Sequence, residues 1–268
     1  MKRLILAGFL FALFMVPVHA KAQQLGLYVT PKFIYGGMIM DNTKGHLDAR
    51  FQGTLVEAES WKLNGSDHAF GGSLAIGYNF NTRLNVPVRA EIEYALFSDT
   101  KNKTSHSGRG FDDNGDLVWG ENSSFEQRFG VQTLFFNAYY DFHNSTAFTP
   151  YIGAGLGMAF INTKAKNNST WYDSFNDVWE TDEWETWSTG SKRNTNFAWN
   201  VGAGVAYNFT ENVALDLGYR FVGLGSAKTR TRVDVDPADW GSNDITRHTG
   251  SKTDLYMHQV GLGLRFSF

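Results

Sequence analysis

The 268-residue chain contains no cysteine, which excludes the disulfide-stapled folds of small exported domains. It has no surplus of basic charge either: 24 Lys and Arg stand against 27 Asp and Glu, a formal net charge of −3. Such a mildly acidic chain has no electrostatic reason to seek nucleic acid. Beyond its N-terminal segment it lacks any run of the ~18 consecutive apolar residues that a membrane helix needs. If this chain crosses a membrane, it must do so as a closed β-barrel, which satisfies every backbone group without helices.

What is present begins with a leader. Lys2 and Arg3 precede the apolar run Leu4–Val18, and small residues follow at Val18-His19-Ala20 and Ala20-Lys21-Ala22. This layout predicts a secretory signal peptide over 1–22, cleaved after Ala20 or Ala22, and a single mature domain over 23–268. The competing reading, an anchoring helix, fits less well because the run is short and a cleavage site follows at once. Loss of Lys2, Arg3 and Lys21 makes the mature chain more acidic.

The last stretch, Thr253–Phe268, sets the pattern for the rest. Phe268, Phe266, Leu264, Leu262, Val260, His258 and Tyr256 fall on one face, while Ser267, Arg265, Gly263, Gly261, Gln259 and Met257 fall on the other. A period of two is a strand, with one apolar face and one small or polar face. The same alternation recurs seven times, in stretches that begin near Leu25, Phe70, Val86, Gln132, Phe148, Phe197 and Val213. The connections alternate too. Asn81–Asn85, His143–Ala147 and Thr210–Asn212 are short, whereas Met40–Ser66, Ser98–Ser124, Ile161–Arg193 and Gly225–Lys252 are long, polar and without obvious order.

Short turns on one side and long loops on the other predict an all-β fold: an eight-stranded antiparallel up-and-down transmembrane β-barrel with three short periplasmic turns and four long extracellular loops. A soluble sandwich or eight-stranded calycin explains neither the loop asymmetry nor the aromatics at strand ends. In this reading Tyr78, Phe80, Tyr140, Phe142, Tyr207, Phe209, Phe266 and Phe268 form one interfacial girdle, and Phe70, Phe97, Phe160, Phe197, Trp199, Phe221 and Tyr256 form the other.

An eight-stranded barrel is just wide enough for side chains to fill its interior. The inward set is mostly Gly, Ala, Ser and Asn, plus four cations, Lys32, Arg89, Arg220 and Arg265, and four anions, Glu91, Glu93, Asp141 and Asp216. Each charge is costly to bury alone, so the expectation is a crosswise ion-pair network that plugs the lumen as a structural core.

Four of the strands, NVPVRAEIEYALF, QTLFFNAYYDF, FTPYIGAGLGMAF and NFAWNVGAGVAYNF, resemble the opacity-type outer-membrane porin and surface-antigen barrels of Gram-negative bacteria. The likeness covers the eight strands and not the loops. It implies an outer-membrane barrel with surface-exposed variable loops, contacts with outer-membrane lipids and lipopolysaccharide, and a C-terminal signal, here Phe266 and Phe268, read by the barrel-assembly machinery.

Fold alone does not settle activity, so the loops are the place to look for it. The third loop carries Trp171, Trp179, Trp184 and Trp187 among Asp173, Asp177, Glu180, Asp182, Glu183 and Glu185, a mixture suited to a protein, sugar or cationic ligand at a host or cell surface. The alternative is that the strands simply continue above the membrane and pair tryptophans across a hairpin. Asp112, Asn114 and Asp116 begin like a calcium loop, yet Leu117 occupies the position of the sharp-turn Gly. His258 with a nearby Ser or Asp could imitate a hydrolase triad, but no spacing supports one, and an interfacial His is the simpler reading. GAGLG lies mid-strand with no helix after it, which is not a phosphate loop. No metal, cofactor or catalytic residue is therefore expected. The chain reads as a non-enzymatic surface antigen, adhesin or structural barrel, with a narrow pore for small solutes as the alternative.

Overall fold

The computed structural model describes residues 25–51, 54–111, 117–175, 178–182, 187–188, 191–235 and 245–268. The leader therefore lies outside the described residues, as do Asp112, Asn114 and Asp116 of the calcium reading. Among the described residues no helix is long and apolar enough to cross a membrane.

Among the described residues eleven strands follow one another: β1 (Leu27–Phe51), β2 (Thr54–Asn79), β3 (Val88–Phe97), β4 (Thr100–Phe111), β5 (Leu117–Asp141), β6 (Phe148–Phe175), β7 (Val178–Asp182), β8 (Trp187–Ser188), β9 (Lys192–Asn208), β10 (Val213–Val235) and β11 (Ile245–Ser267). One short helix, α1 (Asn81–Leu84), makes the first tight connection. All pairings are antiparallel. β3 and β4 act as one broken stave, and β7 and β8 sit on the end of β6. Eight staves remain, and β1 pairs with both β2 and β11, so within the wall the sheet closes on itself. Closure is what a bilayer requires of strands.

The faces follow the alternation. Phe33, Phe70, Ile76, Ile92, Phe136, Ile152, Leu156, Phe197 and Leu262 are exposed on the outer wall, whereas Tyr28, Ile34, Ala75, Glu93, Asn137 and Gln259 are buried within. Phe97 departs from the girdle expected of it. It shares the parity of Arg89, Glu91 and Glu93, and it packs inward on an apolar cluster.

The long connections also depart from expectation. The stretches without evident order are largely strand, with β1 and β2 pairing out to Phe51 opposite Thr54 and β10 and β11 out to Val235 opposite Ile245. Beyond the bilayer the outer face meets water, so apolar alternation fades while the backbone ladder continues. Register shifts occur on the way out, among them one between Asp41 and Lys44 in β1 and one between Gly223 and Gly225 in β10. Gly225 has a left-handed φ of 75°, which a side chain would resist.

The interior has two layers. Toward the short turns it is polar and charged. Toward the long hairpins it is apolar, built from Met38, Met40, Phe129, Val131, Phe135, Ile161, Val222, Leu224, Leu255 and Met257, all almost fully buried. This apolar layer breaks the expectation of an interior that is small and polar apart from its charges.

Candidate functional site

β3 presents Arg89, Glu91 and Glu93 on one inward face, because residues two apart share a side of a strand. Each meets a partner from another stave. Arg89 Nε donates to Asp141 Oδ2 at 2.6 Å and Nη2 donates to Oδ1 at 2.9 Å, a two-pronged pair between β3 and β5. The guanidinium is also surrounded by rings, 4.9 Å from the centroid of Tyr139, 5.1 Å from Tyr151 and 5.8 Å from Tyr28.

Lys32 Nζ, from β1, bridges both glutamates, 2.9 Å from Glu91 Oε1 and 2.7 Å from Glu93 Oε2. Arg220, from β10, donates from Nη2 to Glu93 Oε1 at 2.6 Å and from Nε to Gln259 Oε1 at 2.5 Å. Asp216 accepts from Arg265 Nη2 and from the Tyr151 hydroxyl. Tyr28 and Tyr139 both donate to Glu91, at 3.2 and 2.8 Å. Thus all eight ionisable residues picked out along the sequence sit in the lumen, and the tyrosines link their pairs into one web.

Small residues make the space for this web. A Cβ at Gly77 would lie 2.2 Å from the Tyr28 ring, and one at Gly155 would lie 1.9 Å from Asn137 Oδ1. The glycines of GAGLG are thus the complement of large neighbours on the adjoining staves. The three tyrosines could have been found from their parity, which places them with the charges.

Within the ionic layer lies a cavity of about 50 Å³, lined by Lys32, Glu93, Tyr139, Asn200, Asp216 and Arg220 among others. That volume accommodates a few waters. Buried hydroxyls of Thr30, Ser73 and Thr133, and Arg265 Nε, have no protein partner. Among the described residues no three His, Asp or Glu side chains converge on a point where a metal ion could sit.

The other residues singled out along the sequence are scattered. His258 is exposed on the outer wall, 2.7 Å from the Tyr219 hydroxyl and beside the Phe221 ring, with centroids 5.0 Å apart. Tyr35 and His68 form a similar pair at 2.8 Å. The backbone places Trp171 opposite Asp182, Trp179 opposite Ser174 and Trp187 opposite Asn167, so none of these is in direct register with another tryptophan. Trp184 lies outside the described residues. Phe268 is held at the seam, where its carbonyl accepts from Leu25 N at 2.7 Å and its own N–H donates to Leu27 O at 2.9 Å.

A closed antiparallel barrel with an apolar outer wall, a filled polar lumen and hairpins long at one end only defines the class of outer-membrane β-barrel proteins. Residues 7–266 match the family model described as the outer membrane protein beta-barrel domain, and the chain belongs to that family. It is therefore a protein of the bacterial outer membrane. Among curated relatives, the outer membrane protein PagN of Salmonella typhimurium is 29% identical, covering 91% of this chain and 90% of its own length. A proposed adhesin of Rickettsia conorii is 24% identical over 81% of this chain and 77% of its own. Among solved structures, Neisserial surface protein A is 18% identical, with 91% of this chain and 97% of that one covered and a TM-score of 0.41.

Proposed function

We propose that the protein is a non-enzymatic display barrel that contacts host or other cell surfaces through its long hairpins. The observation that carries this reading is the division of the molecule. The lumen is filled by paired charges and an apolar layer, while the staves continue far past the wall as paired strands. What an approaching partner meets first is the end of these stalks. The relationship to a proposed adhesin agrees with this reading.

In this reading the short turns face the periplasm, the hairpins face the medium, residues 1–22 are a cleaved leader, and Phe266 and Phe268 address the chain to the assembly machinery. The Trp-rich and acidic segment between β6 and β9 is the binding surface. Expression in a non-adherent bacterium, with and without replacement of Trp171–Trp187 by a short Gly/Ser turn, tests it. Adhesion to cultured host cells is expected to fall with the replacement. Adhesion unchanged at equal surface expression removes this segment from the proposal.

A further inference from the structure

Beyond the wall the sheet no longer closes. There β4, β5, β6 and β7 continue as a four-stranded sheet whose strands stay in step: Gly108 pairs with Glu121, Glu121 with Trp171, and Trp171 with Asp182. Among the described residues no strand pairs with the other side of β4 or of β7. β2, the next stave in the ring, meets β4 through a side chain instead. Asp67 accepts from Lys101 N through Oδ2 at 2.7 Å and from His68 N through Oδ1 at 2.8 Å. An edge of unpaired N–H and C=O groups is a template for another strand.

The Lys101 N–H points away from β5, towards Asp67. Residues of an antiparallel strand alternate in this respect, so Lys103, Ser105, Ser107 and Arg109 turn their N–H groups to the same open side. Their side chains are exposed. Among the described residues of β4 and the β5 stretch it faces, Lys101, Lys103, Arg109 and Arg128 share the outward face with one carboxylate, Glu126. β7 is the reverse. It carries Glu180 and Asp182, and the sequence has no Lys or Arg between Lys166 and Lys192. The two edges of one sheet thus bear opposite charge.

Direction selects how such edges can meet. β4 runs outward from the wall and β7 runs back towards it. Two copies in one membrane share these directions, so β7 of one and β4 of the next meet antiparallel, like every pairing within the chain. Two β4 edges would meet parallel, with Lys103 and Arg109 set against their own kind.

We infer that copies of the protein join head to tail in the membrane, the acidic β7 edge of one adding to the basic β4 edge of the next between Lys103 and Arg109. Because the edges differ, each contact leaves one of each kind free, and rows or rings form. Host contact is not required, and β4 lies outside the segment whose replacement tests adhesion.

The chain has no native cysteine. In cells expressing the full chain, Cys is placed in turn at Lys103, Ser105, Ser107 or Arg109, each combined with Cys at Glu180 or at Thr181. Within one chain these positions are three strand spacings apart, roughly 14 Å, well beyond the ~7 Å that a disulfide spans. Mild oxidation should give a ladder of dimers and higher oligomers from the best-matched pair. Each single-Cys chain alone should give none, and two complementary single-Cys chains expressed together should stop at dimers. Ser105→Pro removes only an N–H on the open side, so it should abolish the ladder while folded barrel reaches the membrane in equal amount. Lys103→Glu with Arg109→Glu should weaken the ladder about tenfold, and adding Glu180→Lys with Asp182→Lys to the same chain should restore it. No ladder from any Cys pair, equal cross-linking by the single-Cys chains, or a ladder that survives Ser105→Pro overturns the inference.

Discussion

At the scale of single residues, the question is what one buried charge is worth. Arg89 is 2% exposed and Asp141 4%, so neither has water to fall back on. Removing one partner leaves the other uncompensated, which costs about 3–5 kcal/mol, whereas replacing both by apolar residues of similar volume is often neutral. Arg89→Ala should therefore lower stability in a denaturant titration of the refolded barrel by about 3–5 kcal/mol. The pair Arg89→Met with Asp141→Leu should recover most of that loss. A double variant as damaged as the single one would mean that the Tyr28, Tyr139 and Tyr151 rings need the cation itself. That residues of these eight positions face inward is legible from parity. Which cation meets which anion is not, because partners such as Arg220 and Glu93 are 127 positions apart in the chain.

At the scale of the element, the decisive property is the phase of a strand. Leu262 lies midway along the lipid face of β11 and is 48% exposed, while its neighbour Gly261 faces the lumen. A Cβ at Gly261 would have its nearest neighbours, Phe33 O and Ile34 Cγ1, at 3.8 and 3.9 Å, ordinary contacts. Leu262→Asp should cost on the order of 2 kcal/mol in lipid, and Gly261→Ala very little. Comparing the two variants in vesicles checks this, and equal tolerance would reverse the assignment of faces. Phase was readable where the bilayer demands one apolar side. It failed at Phe97, where strand-end aromatics invite a girdle reading, and beyond the register shifts, where Lys44 and Lys228 take the opposite parity from the residues below them.

At the scale of the whole molecule, the closed wall and filled lumen bear on the pore alternative. The ionic web, which encloses a cavity of the size of a few waters, and the apolar layer of Phe135, Met257, Val222 and Leu224 fill the bore one above the other. Purified protein in a planar bilayer should therefore be electrically silent. Steady conductance steps from the unmodified barrel would restore the pore as its function. The Phe135→Ala and Met257→Ala double variant, which thins the apolar layer, should be the first to leak.

The alternation, the loop asymmetry and the distribution of aromatics determine the class of this protein, its eight staves and its lipid-facing residues. They do so because a bilayer imposes a local rule that every second residue must obey. The apolar upper lumen, the pairing within the ionic web and the hairpin stalks were decided only by tertiary structure. Each depends on register and stagger between staves, and the two-residue period is the same in every register that keeps the faces right.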